Sequence, residues 1–406
     1  MTSTFSFGFS GDDIDVDESE INDVVESTQT QGVSAQQESA SALPELVRPE
    51  RHDVEEWIKT LPSQISYNKL SIPSSPPPQD GTSASTTIIT LGRREVFDIR
   101  TQLMAEDEND SEELISGLEK GDIKPNFYEG GFKTWECAID LAKLVVSEEE
   151  RADVLGLGND AGESHDVHVI ELGAGTAMPS LALFAQLLSR PVSTTPSRRR
   201  YHFTFADYNS IVLRLVTLPN ILLTWKFNAR PSQAAGISEG SVSEEAQGQN
   251  RSQSQGQEED EGELDIDRQL LESFKADLER RDISIGFVSG AWSRPFVDFV
   301  LQSRDPINSD KGCKALILAS ETIYSPSSLK AFSETLLALL RATAGRSSRA
   351  LVAAKRVYFG VGGGVDEFLA ILREMAGEKV DVRQKMEVKT EGVGRVVLEI
   401  RATGEQ

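Results

Sequence analysis

The stretch Val169-Ile170-Glu171-Leu172-Gly173-Ala174-Gly175-Thr176-Ala177-Met178-Pro179-Ser180 decides how the chain is read. The apolar run from Val167 to Leu172 has the length of a buried strand, Gly173 and Gly175 permit a tight turn, and Pro179 suits an early position in a following helix. Strand, glycine turn and helix in that order mark the carboxyl end of a strand in a doubly wound sheet, where a ligand lies against backbone that carries no Cβ. The third glycine of the G-x-G-x-x-G dinucleotide fingerprint is missing, so a diphosphate cofactor is the poorer fit. Taken alone, the turn suits a plain structural bend at least as well as a cofactor site.

Working outward, the apolar run Tyr201 to Ala206 stops at Asp207-Tyr208-Asn209, which places a carboxylate at the end of a second strand. Such a carboxylate can accept two hydrogen bonds from a ribose diol. Asp207 equally suits the N-cap of a helix over Ser210 to Leu218, and both readings stay open. Further strands are predicted at Ile283 to Ser289, after a helix over Ile266 to Arg280, and at Ala315 to Ala319 and Ala350 to Ala354, with a helix over 328–344 between the last two. Gln384 to Lys389 and Arg395 to Arg401 alternate around Gly392 and Gly394, as a closing hairpin does. The sum is an α/β fold: five parallel crossover strands plus a C-terminal antiparallel hairpin, seven strands in all.

Of the 406 residues, 1–90 read as a mostly unfolded tail, acidic and then rich in Ser, Gln and Pro, and 91–406 as one domain with a low-complexity insertion over 227–263, densest from Arg230 to Gly262. The opening Phe5-Ser6-Phe7-Gly8-Phe9 alternates with a period of two and suits an extended docking segment as well as an idle apolar blip. A formal net charge of −24 disfavours direct contact with nucleic acid or an anionic membrane and favours a basic protein partner. The same charge also keeps a long tail soluble. Two distant cysteines, Cys137 and Cys313, and histidines without metal-ligand spacing imply a reducing compartment and no metal site. With no basic, apolar leader and no window near the ~20 apolar residues that cross a bilayer, the expected location is the cytoplasm and nucleus. Arg198-Arg199-Arg200 reads as a solvated loop before a strand rather than an import signal.

Six segments, in this order and spacing, resemble the eukaryotic, fungal-type protein-histidine N-methyltransferases that act on a large-subunit ribosomal protein. They are Tyr128-Glu129-Gly130-Gly131-Phe132-Lys133-Thr134-Trp135-Glu136-Cys137, Glu171 to Ser180, Asp207-Tyr208-Asn209 with Val212 to Thr217, Ser289-Gly290-Ala291-Trp292, Ser320-Glu321-Thr322-Ile323-Tyr324, and Ala353 to Gly363. The resemblance spans about Glu95 to Arg401 and the first ten residues, and it implies a Rossmann-like fold using S-adenosyl-L-methionine. It implies that Glu171, Gly173, Gly175 and Asp207, with Tyr208 and Asn209, hold the ribose and amino-acid portions of that cofactor. It further implies that Trp135, Glu136 and Cys137 hold the methionine end, that Gly290, Ala291 and Trp292 hold the adenine, and that Ser320 lines the same pocket. Glu321 and Tyr324 match an acidic-x-x-aromatic motif that faces the substrate and are the implied catalytic residues. A monomer acting on a basic ribosomal protein is the implied working state.

Each motif also has a plainer reading. Trp135 and Trp292 are, by residue type, more often core aromatics than ligand contacts. Gly360 to Gly364 lacks the Lys-Ser/Thr pair of a phosphate loop and reads as a bend beside the site. The insertion is longer than the resemblance leads one to expect. Rival functions are a lysine methyltransferase on the same fold, a nicotinamide-dependent oxidoreductase, which the incomplete glycine fingerprint disfavours, and a scaffold that keeps a cofactor pocket without catalysis.

Overall fold

The computed structural model describes residues 47–73, 88–106, 130–147, 149–150, 166–191, 199–229, 260–303, 313–343, 348–389 and 392–403. The Phe-rich opening, most of the acidic tail and most of the 227–263 insertion lie outside these residues.

Five parallel strands form the centre: β4 (Asp166–Leu172), β5 (Tyr201–Asp207), β7 (Ile283–Ser289), β8 (Cys313–Ser320) and β9 (Arg349–Lys355). β10 (Val380–Val388) and β11 (Arg395–Ala402) close the sheet as an antiparallel hairpin, β11 lying between β9 and β10. The order β7-β5-β4-β8-β9-β11-β10 reverses direction between β4 and β8, so the topological switch point falls beside the glycine turn. The predicted hairpin begins four residues late, because the register shifts between Gln384 and Met386 and breaks the alternation that a sequence pattern relies on.

Each central strand is apolar on both sides, since both faces of the sheet are covered. Val167, Val169, Phe203, Phe205, Leu316, Leu318 and Leu351 pack into one core, with α3 (Glu136–Val145), α4 (Met178–Leu188) and α5 (Ser210–Asn228). Ile170, Leu172, Ala206, Ile317, Ala319, Val352 and Ala354 pack into the other, against α7 (Arg294–Gln302), α8 (Pro326–Ala342) and α9 (Val365–Ala376). Burying each large apolar side chain here contributes on the order of 1.5–3 kcal/mol. α5 is long and apolar enough to cross a membrane by length and composition, contrary to the sequence expectation, but 72% of its most apolar window is buried in the core.

The expectation of an unfolded chain up to residue 90 fails over 47–73. β1 (Glu50–His52) pairs antiparallel with the outer edge of β7 and extends the sheet to eight strands. After α1 (Val54–Ile58), β2 (Gln64–Pro73) forms the centre of a second antiparallel sheet between β3 (Ile88–Arg94) and β6 (Glu261–Asp265). This sheet lies on α5, where Gly92 is essential: a Cβ on it would sit 2.3 Å from that of Leu223. The composition of β2 and β6 explains why they escaped notice. β6 reads Glu-Gly-Glu-Leu-Asp, and only Ile65, Ile72 and Leu264 of the β2–β6 pair are buried. β6 also moves the end of the insertion inward from residue 263.

Candidate active site

The glycine turn after β4 is held by polar contacts from three directions. Gly173 (φ +67°) and Gly175 (φ +49°) adopt left-handed backbone, as does Ala177 (φ +60°) at the N-cap of α4. The fully buried Glu171 side chain reaches forward, and its Oε2 accepts the Ser180 backbone N–H at 3.0 Å in the first turn of α4. Its Oε1 has no partner, and burial pushes the carboxyl up to about 8 against the Ser180 hydrogen bonds, so Glu171 keeps its proton at neutral pH.

From the second direction comes Asp207, at the end of β5. Its Oδ2 accepts the Gly175 N–H and its Oδ1 the Asn209 N–H, both at 3.0 Å. The N-cap of α5 is Asn209, so the alternative reading of Asp207 as that cap is overturned; its nearly buried carboxylate braces the glycine turn instead. Tyr208 is half-buried beside it. From the third direction, α5 opens with a π-helical turn, Leu213–Thr217. It presents the Thr217 hydroxyl to the Gly175 carbonyl (2.7 Å), and Asn220 Nδ2 then donates to the Thr176 carbonyl (3.1 Å). Thr217 lies in a segment that carries the resemblance but has no role assigned by it, and Asn220 falls beyond the helix expected over Ser210 to Leu218. Their polarity at i and i+3 within an otherwise apolar helix was the available signal.

Residues 130–135 cross directly over this turn. Gly131 (φ +116°) lies so close that a Cβ on it would stand 3.3 Å from Gly175 Cα, and the Thr134 hydroxyl is 3.2 Å from that of Thr176. Trp135 is the N-cap of α3, and Lys355 Nζ stands 5.9 Å from its ring centroid. Glu136 turns to Arg395 (3.0 Å) and, more loosely, to Lys355 (3.6 Å), while Arg395 also grips Asp140 at 2.6 Å. Cys137 is buried, and burial, with Glu321 nearby, pushes its thiol well above the usual range, so it stays a thiol.

Ser320 ends β8, and Glu321 follows with left-handed backbone (φ +56°), a conformation costing a non-glycine residue roughly 1 kcal/mol. Its N–H still bonds the Ala353 carbonyl at 3.0 Å. Glu321 Oε1 accepts a long bond from Cys137 N–H (3.4 Å), and Oε2 accepts the Tyr358 hydroxyl at 2.5 Å. Thr322 touches the glycine turn: a Cβ on Gly173 would meet its methyl at 2.7 Å, and its buried hydroxyl has no protein partner. The half-buried Tyr324 lies edge-on to Tyr358, with ring centroids 6.3 Å apart. Tyr358 was absent from the expected site. The signal was a lone phenol between Val357 and Phe359 in a glycine-rich bend, and that bend does rest on Tyr324, whose carbonyl leaves Gly363 no space for a Cβ.

The Gly290 to Trp292 segment sits at the end of β7 under the N-terminal strand. Gly290 N–H bonds the Asp207 carbonyl and Ala291 N–H the Val47 carbonyl, each at 3.0 Å, and a Cβ on Gly290 would strike Pro49 Cα at 2.6 Å. Trp292 packs edge-on against Phe296 and Phe332. The residues expected at the cofactor therefore gather at the carboxyl ends of β4, β5, β7 and β8, with the Glu136 carboxylate turned toward the β11 side.

No family model matches the chain. It is 30% identical over 383 residues to "Histidine protein methyltransferase 1" of Saccharomyces cerevisiae, covering 91% of this chain and 90% of the relative. The protein of the same name from Schizosaccharomyces pombe is 31% identical over 368 residues, covering 90% and 88%. A rat homologue is 30% identical over 69% of this chain and 58% of its own length. Among solved structures, the N-terminal domain of human METTL16 in complex with SAH aligns with 62% of this chain and 67% of its own at 11% identity, with a TM-score of 0.31 that carries no argument. Strand order, glycine turn and relatives together make this a Rossmann-like methyltransferase, for which S-adenosylmethionine is the methyl donor. The chain belongs to the histidine protein methyltransferase family.

Proposed function

We propose that the protein transfers a methyl group from S-adenosylmethionine to an imidazole nitrogen of a histidine in a basic protein of the large ribosomal subunit, acting as a monomer in the cytoplasm and nucleus. One observation carries the reading beyond family membership. Three separate segments, Gly131 to Cys137, Gly173 to Gly175 and Glu321 to Thr322, touch one another directly at the switch point.

Those residues fit the donor. Positive-φ glycine backbone at 131, 173 and 175 lets the turn and the segment crossing it pack this tightly at the strand end, and the orphaned Thr322 hydroxyl beside Gly173 offers the donor a buried polar partner. Asp207, with Tyr208 and Asn209 next to it, would hold the ribose, because a carboxylate at the end of the second strand can accept hydrogen bonds from a ribose diol. Trp135, Glu136 and Cys137 would hold the amino-acid end, and Gly290, Ala291 and Trp292 the adenine, with Ser320 and the buried Glu171 completing the wall.

When bound, the donor supplies a methyl group on a positively charged sulfur that leaves as a neutral thioether. The protein's task is accordingly alignment rather than strong acid or base chemistry. An imidazole attacks only through an unprotonated nitrogen. Glu321 would accept the N–H of the other ring nitrogen, select the tautomer, and offset the positive charge that develops on the ring as the N–methyl bond forms. Tyr324 would flank the ring.

The test is incubation of the protein with radiolabelled S-adenosylmethionine and an extract lacking the endogenous activity, followed by amino-acid analysis of the labelled band. Methylhistidine in a large-subunit ribosomal protein is expected, and methyllysine would overturn the reading.

A further inference from the structure

We propose that Tyr358 is a positioning residue for methyl transfer: its hydroxyl fixes the Glu321 carboxylate so that the other side of that carboxylate meets the imidazole N–H of the substrate. The inference rests on the role given to Glu321 above and extends it to a residue on a different segment.

Four observations converge on it. The Tyr358 hydroxyl donates to Glu321 Oε2 at 2.5 Å, the length of a charge-assisted bond, and itself accepts the Lys355 backbone N–H at 3.3 Å. Its proton is thereby directed at the carboxylate. Second, the opposite oxygen, Oε1, accepts a long bond from Cys137 N–H at 3.4 Å, and the buried Cys137 thiol also bonds this carboxylate; since a carboxylate accepts at about four sites, capacity for a further donor remains. Third, Glu321 is held in left-handed backbone, the kind of local strain that persists where surrounding contacts over-determine a functional side chain.

The fourth observation is the loop itself. Val357, Phe359 and Val361 are exposed at 47%, 67% and 49%, while Tyr358 between them turns inward. The turn is tied at both ends, by Tyr358 N–H to the Gly363 carbonyl and Gly362 N–H to the Tyr358 carbonyl, both 3.1 Å, and Gly363 lies against the Tyr324 backbone. Leaving three apolar side chains in water to bring one phenol onto one carboxylate is costly for packing alone. Burial, then the neighbouring Glu321 and Cys137, push the phenol well above its usual range, so it remains a proton donor at every working pH.

The test uses the full chain and the proteins of large ribosomal subunits from cells lacking the activity, with S-adenosylhomocysteine release as the rate and mass spectrometry locating the methyl group. Tyr358→Phe keeps the ring and removes the hydroxyl. It is expected to lower kcat by about ten-fold or more while the KM for protein substrate and the Kd for S-adenosylhomocysteine stay within about two-fold. A kcat within two-fold of wild type, or a loss that falls on Kd, would overturn the proposal. In a Glu321→Asp background the shortened carboxylate no longer reaches the phenol, so Tyr358→Phe should add less than about two-fold; a full multiplicative loss there would show that Tyr358 acts independently of Glu321. Methyl transfer to a residue other than histidine would refute the substrate reading while leaving these rate comparisons legible.

Discussion

Gly131 and Gly175 meet backbone to backbone, each with positive φ, and an ideal Cβ on either would stand 3.3 or 3.2 Å from the Cα of the other. Gly131→Ala would also drive its methyl to 2.8 Å from Val212 Cγ1. The expected result is a loss of ~1–3 kcal/mol in stability, from the strained backbone and the clash, together with weakened binding of S-adenosylhomocysteine. Gly392→Ala, which meets nothing within 4 Å, serves as the control. Urea unfolding and calorimetry on both variants check this, and equal behaviour would mean that the crossing does not shape the pocket.

Asp207→Ala and Glu321→Ala should separate binding from turnover. The first orphans two backbone N–H groups of the turn, at about 1–3 kcal/mol, and should weaken cofactor affinity by at least ten-fold. The second should leave that affinity within about two-fold and lower kcat by roughly a hundred-fold or more. Calorimetry beside a methyl-transfer assay reads both. Unchanged turnover in Glu321→Ala would remove that residue from the mechanism.

Glu171 makes stability depend on pH. Its folded-state value of about 8 lies above the ordinary 4.5, so the native state retains a proton that the unfolded chain gives up between those two limits. Its contribution is fully present below pH 4.5 and is lost as the pH rises through about 8. Glu171→Gln should flatten the fall in unfolding midpoint across that window. Parallel pH curves for variant and wild type would show that Glu171 is not the group responsible.

Salt should slow capture of a basic substrate. With 24 net negative charges the protein attracts such a partner over about a Debye length, ~10 Å at 0.1 M salt. Raising the ionic strength should lower kcat/KM several-fold with little change in kcat. A rate constant indifferent to salt would exclude electrostatic steering.

How much of this was legible beforehand varies with the kind of pattern. β7 was readable to the residue, and β4 and β5 to within one, because strands covered on both faces are predominantly apolar runs and each is punctuated at its end, by Gly173, Asp207 or Gly290. Glu321 and Tyr324 were legible through resemblance, and their contact with the glycine turn by way of Thr322 required the fold. Tyr358 could not be ranked from sequence: its partner stands 37 positions earlier, and only the β8–β9 pairing brings them together. β2, β3 and β6 were illegible for a different reason. They make a small sheet with mixed exposure in which β2 pairs with β3 across a proline-rich stretch and with β6 about 200 positions away, as Gln64 with Asp265 does, and local periodicity carries no trace of the distant partner.

The pairing of Glu50–His52 with β7, and the seat of Pro49 on Gly290, bear on how the enzyme can be handled. An expression clone begun at residue 91, where the recognisable motifs start, would uncover a sheet margin, delete the middle strand of the smaller sheet and strip the covering from the expected adenine wall. The usable boundary lies ahead of Val47, and a shortened protein that fails to bind its donor would be reporting on that cut rather than on its chemistry.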